Sequence, residues 1–163
     1  MNTKTKKLST VSMVLCGMFA ALVAIGAFIQ IPVPYMDYFT LQFFFVLLAG
    51  LILGADKGAI SVGCYVLLGL VGVPIFAAGG GIGYIFRPSF GYLVGFIVSA
   101  YVTGKVCEKL KASYKNYLLA CLAGFVVTYA IGIVYKFIIL NFYAHTPATL
   151  AVIFFVLLPI RYA

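Results

Sequence analysis

The sequence predicts an all-α, polytopic membrane protein of five to six helices, forming one domain over residues 1–163. Two observations carry that prediction. Of the residues, 65% are hydrophobic and only 9% are charged, whereas the surface of a water-soluble domain needs about a quarter charged residues. The apolar residues fall in runs of helical length, separated by glycine, proline and short basic clusters. Lipid tolerates such a surface, and helices satisfy their own backbone within it.

The first run predicts a helix over residues 10–29, closed by Ile31-Pro32-Val33-Pro34, because a proline disfavours helix at the residue before it. Lys4, Lys6 and Lys7 precede it. The run is longer than a secretory h-region and no A-x-A site closes it, so it is expected to be retained as a transmembrane helix. A second helix is expected over 40–53, ending in a polar turn at Gly54-Ala55-Asp56-Lys57-Gly58. A third is expected over 59–71, halted by Gly72-Val73-Pro74. Residues 72–92 are apolar but broken by glycine and proline, and are expected to be irregular. A fourth helix is expected over 89–106, followed by a basic segment with Lys105, Lys109, Lys111 and Lys115. A fifth is expected over 117–140, then a loop over 141–147 and a last short apolar run ending at Pro159. The second and third runs are short against the roughly 20 residues a span needs.

The formal charge is +8. In a soluble chain that balance suggests nucleic acid; beside apolar runs it reports topology, because Lys and Arg collect in cytoplasmic loops. An internal N-terminus places Lys4, Lys6, Lys7, Lys57, Lys105, Lys109, Lys111 and Lys115 inside, with Arg87 outside and Lys136 toward the outer end of the fifth helix. A multi-pass protein of a bacterial-type cell membrane, with a cytoplasmic N-terminus and no nucleic-acid partner, is expected. The three irregular segments, 31–39, 72–88 and 141–147, then share the outer side, where loops on a rigid scaffold often form a pocket.

Several residues there have two readings. Gly79-Gly80-Gly81-Ile82-Gly83 permits positive φ and close approach to a ligand, or is simply a re-entrant connector. It lacks the Lys-Ser/Thr ending of a phosphate loop. Arg87 suits a carboxylate, or anchors at the headgroups. Lys136, inside an apolar helix, is a functional charge or snorkels outward. Tyr35, Tyr38, Phe39, Phe76, Tyr84, Phe86, Phe90 and Tyr92 can wall an apolar ligand or form an interfacial aromatic belt. Gly17, Ala20, Ala21, Ala24 and Ala27 give the first helix a flat face for close helix packing. Cys16, Cys64, Cys107 and Cys121 form no CxxC pair and are read as small buried hydrophobes. His145 has no partner pattern for a metal or for catalysis. The acids are Asp37, Asp56 and Glu108 alone, too few for a proton relay or for a membrane enzyme acting on a lipid. With no nucleotide-binding motif in the chain, any ATP must be hydrolysed by a partner.

The run Gly69-Leu70-Val71-Gly72-Val73-Pro74-Ile75-Phe76, the glycines after it, and Pro88-Ser89-Phe90-Gly91-Tyr92-Leu93-Val94-Gly95-Phe96 resemble the signature of the BioY family. Thr40-Leu41-Gln42 after Pro34, Leu53-Gly54 before Lys57-Gly58, Tyr65 with Gly69, and Leu140-Asn141-Phe142-Tyr143 before Pro147 fit the same pattern. The resemblance implies a six-helix substrate-capture (S) subunit of an energy-coupling-factor transporter. Such a subunit binds biotin from outside, uses no cofactor and is not an enzyme. Its implied partners are biotin, a membrane coupling (T) subunit, two ABC-type ATPases and the surrounding lipid. The implied pocket residues are Thr40, Gln42, Phe76, Gly79, Gly80, Gly81, Tyr84, Arg87, Tyr92 and Lys136. Ala20 and Ala24 match the small-residue motif that docks such subunits on the coupling protein. The family pattern continues after Leu-Pro with Pro-Gly-Asp and a Lys that open a sixth helix. Here Pro159 is followed by Ile160-Arg161-Tyr162-Ala163. A bundle lacking that helix is therefore expected, with Arg87 or Lys136 replacing its base. Capture of another vitamin, or a small membrane protein without a ligand, are the alternative outcomes.

Overall fold

The computed structural model describes residues 9–31 and 39–143. Tyr35, Asp37, Tyr38, His145 and the last apolar run lie outside the described residues.

Five helices form a bundle: α1 (Thr10–Phe28), α2 (Gln42–Leu53), α3 (Ala55–Val71), α4 (Phe90–Lys109) and α5 (Tyr114–Ile138). α1 starts where expected because Ser9 is an N-cap, its hydroxyl accepting from the Ser12 N–H at 3.3 Å; this satisfies one orphan donor of the first turn. Two short strands, β1 (Gln30–Ile31) and β2 (Phe39–Thr40), pair antiparallel after α1, with Gln30 opposite Thr40. Thr40 therefore belongs to this pairing, and α2 begins two residues later than its apolar run suggests. A 3-10 turn over Ile82–Phe86 interrupts the irregular stretch, and a π-helical turn, Ile139–Tyr143, extends α5 into what was expected to be an outer loop.

The largest correction concerns the polar turn expected at 54–58. α3 begins at Ala55, and the break from α2 is Gly54 alone, at φ 82°. The reason is tertiary. Glu108, at the end of α4, accepts the Ala55 N–H on Oε1 at 2.9 Å, while its Oε2 lies 3.6 Å from Lys105 Nζ. A distant carboxylate thus caps a helix that its own sequence leaves uncapped. Glu108→Ala is expected to destabilise the bundle by about 1 kcal/mol, the usual worth of a cap. Glu108→Gln is expected to lose less, because it keeps the acceptor and gives up only an exposed ion pair worth ~0–1 kcal/mol. Thermal melting of both variants in detergent checks this.

α4 packs centrally, against α2, α3 and α5, and α1 closes the other side against α2 and α3. Between α4 and α5, Ser99 Oγ donates to Gly124 O at 3.0 Å and Thr103 Oγ1 to Ala120 O at 3.3 Å, the small-residue and hydroxyl contacts by which helices associate in lipid. The core holds Phe19, Val23, Val46, Val62, Tyr65 and Phe96. Val14, Leu67, Leu118, Leu122 and Val126 are exposed, as befits lipid-facing positions. Thr10–Phe28, Phe90–Lys109 and Tyr114–Phe142 are long and apolar enough to cross a membrane.

The alternation of helices gathers two distinct ends. One, the loop end, holds the β1–β2 pair, residues 72–89 and the last turns of α5. The other, the basic end, holds the α2–α3 corner and the α4–α5 turn.

Candidate functional site

The irregular stretch at the loop end is folded by its own backbone and then pinned from three sides. Phe76 N donates to Gly79 O at 2.9 Å and Gly79 N returns to Phe76 O at 3.1 Å, closing a tight turn. Gly79 (φ 109°) and Gly81 (φ 104°) supply the left-handed conformations this path needs, which L side chains avoid. Gly80 packs against the Val73 and Gly69 carbonyls, and Gly81 N donates to Gly69 O at 2.7 Å. The side-chain ties come from separate elements. Gln30 Nε2, in β1 just after α1, donates to Ala77 O at 2.9 Å; Tyr65 OH, on α3, donates to Ile75 O at 3.0 Å; Tyr135 OH, on α5, donates to Ile85 O.

Beneath the turn lies a row of aromatic rings. Tyr65 and Phe76 meet edge to face with centroids 5.6 Å apart, and Phe76 meets Tyr84 at 4.6 Å. Phe76 and Tyr84 are buried. The row ends in a base: the Arg87 guanidinium stands 5.4 Å from the Tyr84 centroid, within cation–π range. At its other end Gln42, on the first turn of α2, lies beside the Tyr65 hydroxyl. Gln42 is 3% exposed, and its Nε2 has no hydrogen-bond partner among the described residues. Leaving such a donor desolvated costs about 1–3 kcal/mol, which makes the Gln42 amide a candidate ligand contact.

The structure therefore brings Gln42, Phe76, Gly79, Gly80, Gly81, Tyr84 and Arg87 together, and joins Thr40 to them through Gln30. Tyr92 stands apart: it meets Tyr129 at 5.9 Å and packs on Gly132. Lys136 is half-buried in the last turn of α5, the residue after Tyr135. Ala20, 8% exposed, is turned into the bundle and Ala24 is half-buried against its core, while Gly17 and Ala21 carry the outward small positions of α1. Two site residues escaped the sequence reading. Gln30 had one available signal, a lone amide closing an apolar run ahead of proline; Tyr135 had none, since its partner is a backbone carbonyl 50 positions away.

Comparison with known proteins gives this site its context. The model of the BioY family matches residues 1–162. A probable biotin transporter BioY of Lysinibacillus sphaericus is 41% identical over 152 residues, covering 93% of this chain and 77% of the relative. The biotin transporter BioY of Thermotoga maritima is 45% identical over 130 residues, covering 79% of this chain and 73% of its own. The crystal structure of the S-component for biotin from an ECF-type ABC transporter shares the fold, with a TM-score of 0.78 at 23% identity, over 96% of this chain and 83% of that one. The chain is a membrane protein and a member of the BioY family.

Proposed function

We propose that this chain is the biotin-capture subunit of an energy-coupling-factor transporter, and that the loop end is its binding site. The observation that carries the proposal is the buried Gln42 carboxamide, whose Nε2 has no hydrogen-bond partner among the described residues, set at one end of an aromatic row whose other end is Arg87. Biotin presents the same order of chemistry: a ureido carbonyl, an apolar bicycle and a carboxylate tail. Gln42 Nε2 donates to the ureido oxygen, Tyr65, Phe76 and Tyr84 cover the bicycle, and the Gly80 backbone N–H and the Thr40 hydroxyl complete the polar contacts. Arg87 takes the carboxylate through a charge-assisted pair, with Lys136 as the second base and Tyr92, on the first turn of α4, supporting the wall where α4 meets α5.

The loop end faces outward, and the N-terminus and the basic end face the cytoplasm, in keeping with the positive-inside rule. Capture is binding, not chemistry; a coupling subunit and two ATPases supply the energy for release. The coupling subunit docks on α1, where Gly17 and Ala21 keep the helix surface flat beside Ala24, with Ala20 beneath them.

Equilibrium binding of labelled biotin to the purified 163-residue chain tests the proposal. Saturable binding with one biotin per chain is expected, weakened about 10-fold or more by Arg87→Ala, since a hydrogen-bonded charge pair is worth ~1.5–3 kcal/mol. Arg87→Lys is expected to retain part of it, as a point charge without the fork. Saturable binding of a different vitamin with none of biotin would move the assignment to another substrate.

A further inference from the structure

The opposite end of the bundle carries a second built feature. Lys57, Lys105, Lys109, Lys111 and Lys115 are all exposed there, with only Asp56 and Glu108 as acids among the described residues. Glu108 is already engaged by the Ala55 N–H and Lys105. Lys109, Lys111 and Lys115 have no ion-pair partner among the described residues. The α4–α5 turn that presents them is ordered by its own bonds. Leu110 N donates to Val106 O at 3.1 Å, Asn116 Nδ2 to Lys111 O at 2.8 Å, and Asn116 N and Tyr117 N each to Ser113 O at 3.0 Å. Tyr101, Leu110, Tyr114 and Tyr117 are exposed around the same turn, and Lys105 Nζ lies 5.9 Å from the Tyr101 ring centroid.

We propose that this turn, residues 105–117, is a binding surface for the headgroups of anionic phospholipids. It joins two helices that are each long and apolar enough to cross the membrane, so its side chains emerge at headgroup depth. Clustered Lys beside exposed Tyr is the composition that suits this layer: the ammonium groups meet phosphate, and the rings straddle the boundary between apolar and wet. An acidic protein partner would meet the charges, but would leave no role for exposed Tyr114 and Leu110 at the ends of spanning helices. The rule that Lys and Arg collect inside concerns how a chain inserts; a headgroup site concerns which lipids stay with the folded protein. Each base near an anionic surface is worth about fivefold in partitioning, attenuated by salt.

The test uses the full chain in nanodiscs of phosphatidylcholine, with and without phosphatidylglycerol, read by thermal melting, and in mixed micelles, read by the lipids retained in native mass spectrometry. The wild type is expected to retain phosphatidylglycerol over phosphatidylcholine and to melt higher with it, both effects shrinking at high salt. Lys109→Gln/Lys111→Gln/Lys115→Gln is expected to lose that preference, up to about a hundredfold for three bases, while melting like wild type in phosphatidylcholine alone. The triple Arg variant is expected to keep it. A wild type indifferent to phosphatidylglycerol, or a triple Gln variant that prefers it as strongly as wild type, overturns the proposal. So does an indifferent wild type whose turn instead retains an acidic protein.

Discussion

Gln42→Leu is expected to raise the thermal stability of the ligand-free protein while lowering its affinity for biotin about 10- to 100-fold. The two effects have one cause. Gln42 is 3% exposed and its Nε2 has no partner among the described residues, and a donor left so desolvated costs ~1–3 kcal/mol. Leucine fills similar volume and removes that cost. In the proposed complex, the same Nε2 would satisfy the ureido oxygen, and its loss would leave a buried acceptor on the ligand unpaired, at a similar cost. A residue that merely packs would lose stability and affinity together, so opposite signs are diagnostic. Gln42→Glu sharpens the test by exchanging a donor for an acceptor. It is expected to bind biotin poorly and to shift preference toward 2-iminobiotin, whose guanidinium replaces the ureido carbonyl with donors. Melting curves and competition binding read both. Affinity unchanged in Gln42→Leu would remove Gln42 from the site.

Gly69→Ala is expected to destabilise the bundle and to abolish capture. Within a helix this exchange ordinarily stabilises, by up to about 1 kcal/mol. Gly69, however, is buried on α3, and a Cβ there would enter the Phe76 ring. Phe76 cannot easily retreat: it is 1% exposed, held between Tyr65 and Tyr84, and its backbone closes the Phe76–Gly79 turn. Overpacking of this kind costs about 1–3 kcal/mol, and here it displaces the aromatic row itself. Gly63→Ala is the internal control, because nothing lies within 4 Å of a Cβ at that position of the same helix; it is expected to be neutral or stabilising. Gly69→Ala combined with Phe76→Leu should recover stability, though not affinity. Melting temperature and biotin binding of the four chains decide the matter.

What the sequence disclosed, it disclosed through patterns that are local. Apolar runs closed by Pro32 and by Gly72-Val73-Pro74 delimit α1 and α3 at their loop ends to within a residue, and the density of glycine marked 72–88 as irregular. Gln42 came into view only through the family resemblance. The misplaced start of α3 shows where such reasoning stops. Ala55-Asp56-Lys57-Gly58 has the composition of a turn, and only Glu108, 53 positions on, makes it helical. The pins on the glycine-rich turn are of the same kind: Gln30, Tyr65 and Tyr135 each reach a backbone carbonyl on another element, and a carbonyl leaves no trace in a sequence. Ala20 and Ala24 illustrate a further gap. Helical spacing identifies a flat face but not the side it packs on, and the bundle takes up Ala20 while Gly17 and Ala21 face outward. The family motif pointed to the segments proposed as the pocket. The order of groups from Gln42 through Tyr65, Phe76 and Tyr84 to Arg87 emerged only from packing.

The most direct measurement is photo-crosslinking of the wild-type chain with a biotin analogue that carries a diazirine on its valeryl chain and keeps the carboxylate, the adducts being mapped by mass spectrometry. Adducts confined to residues 72–92 and the end of α5 near Lys136, and erased by excess free biotin, are the predicted result. Adducts at the basic end, or adducts that free biotin does not compete away, would contradict a biotin site built on Gln42, the aromatic row and Arg87.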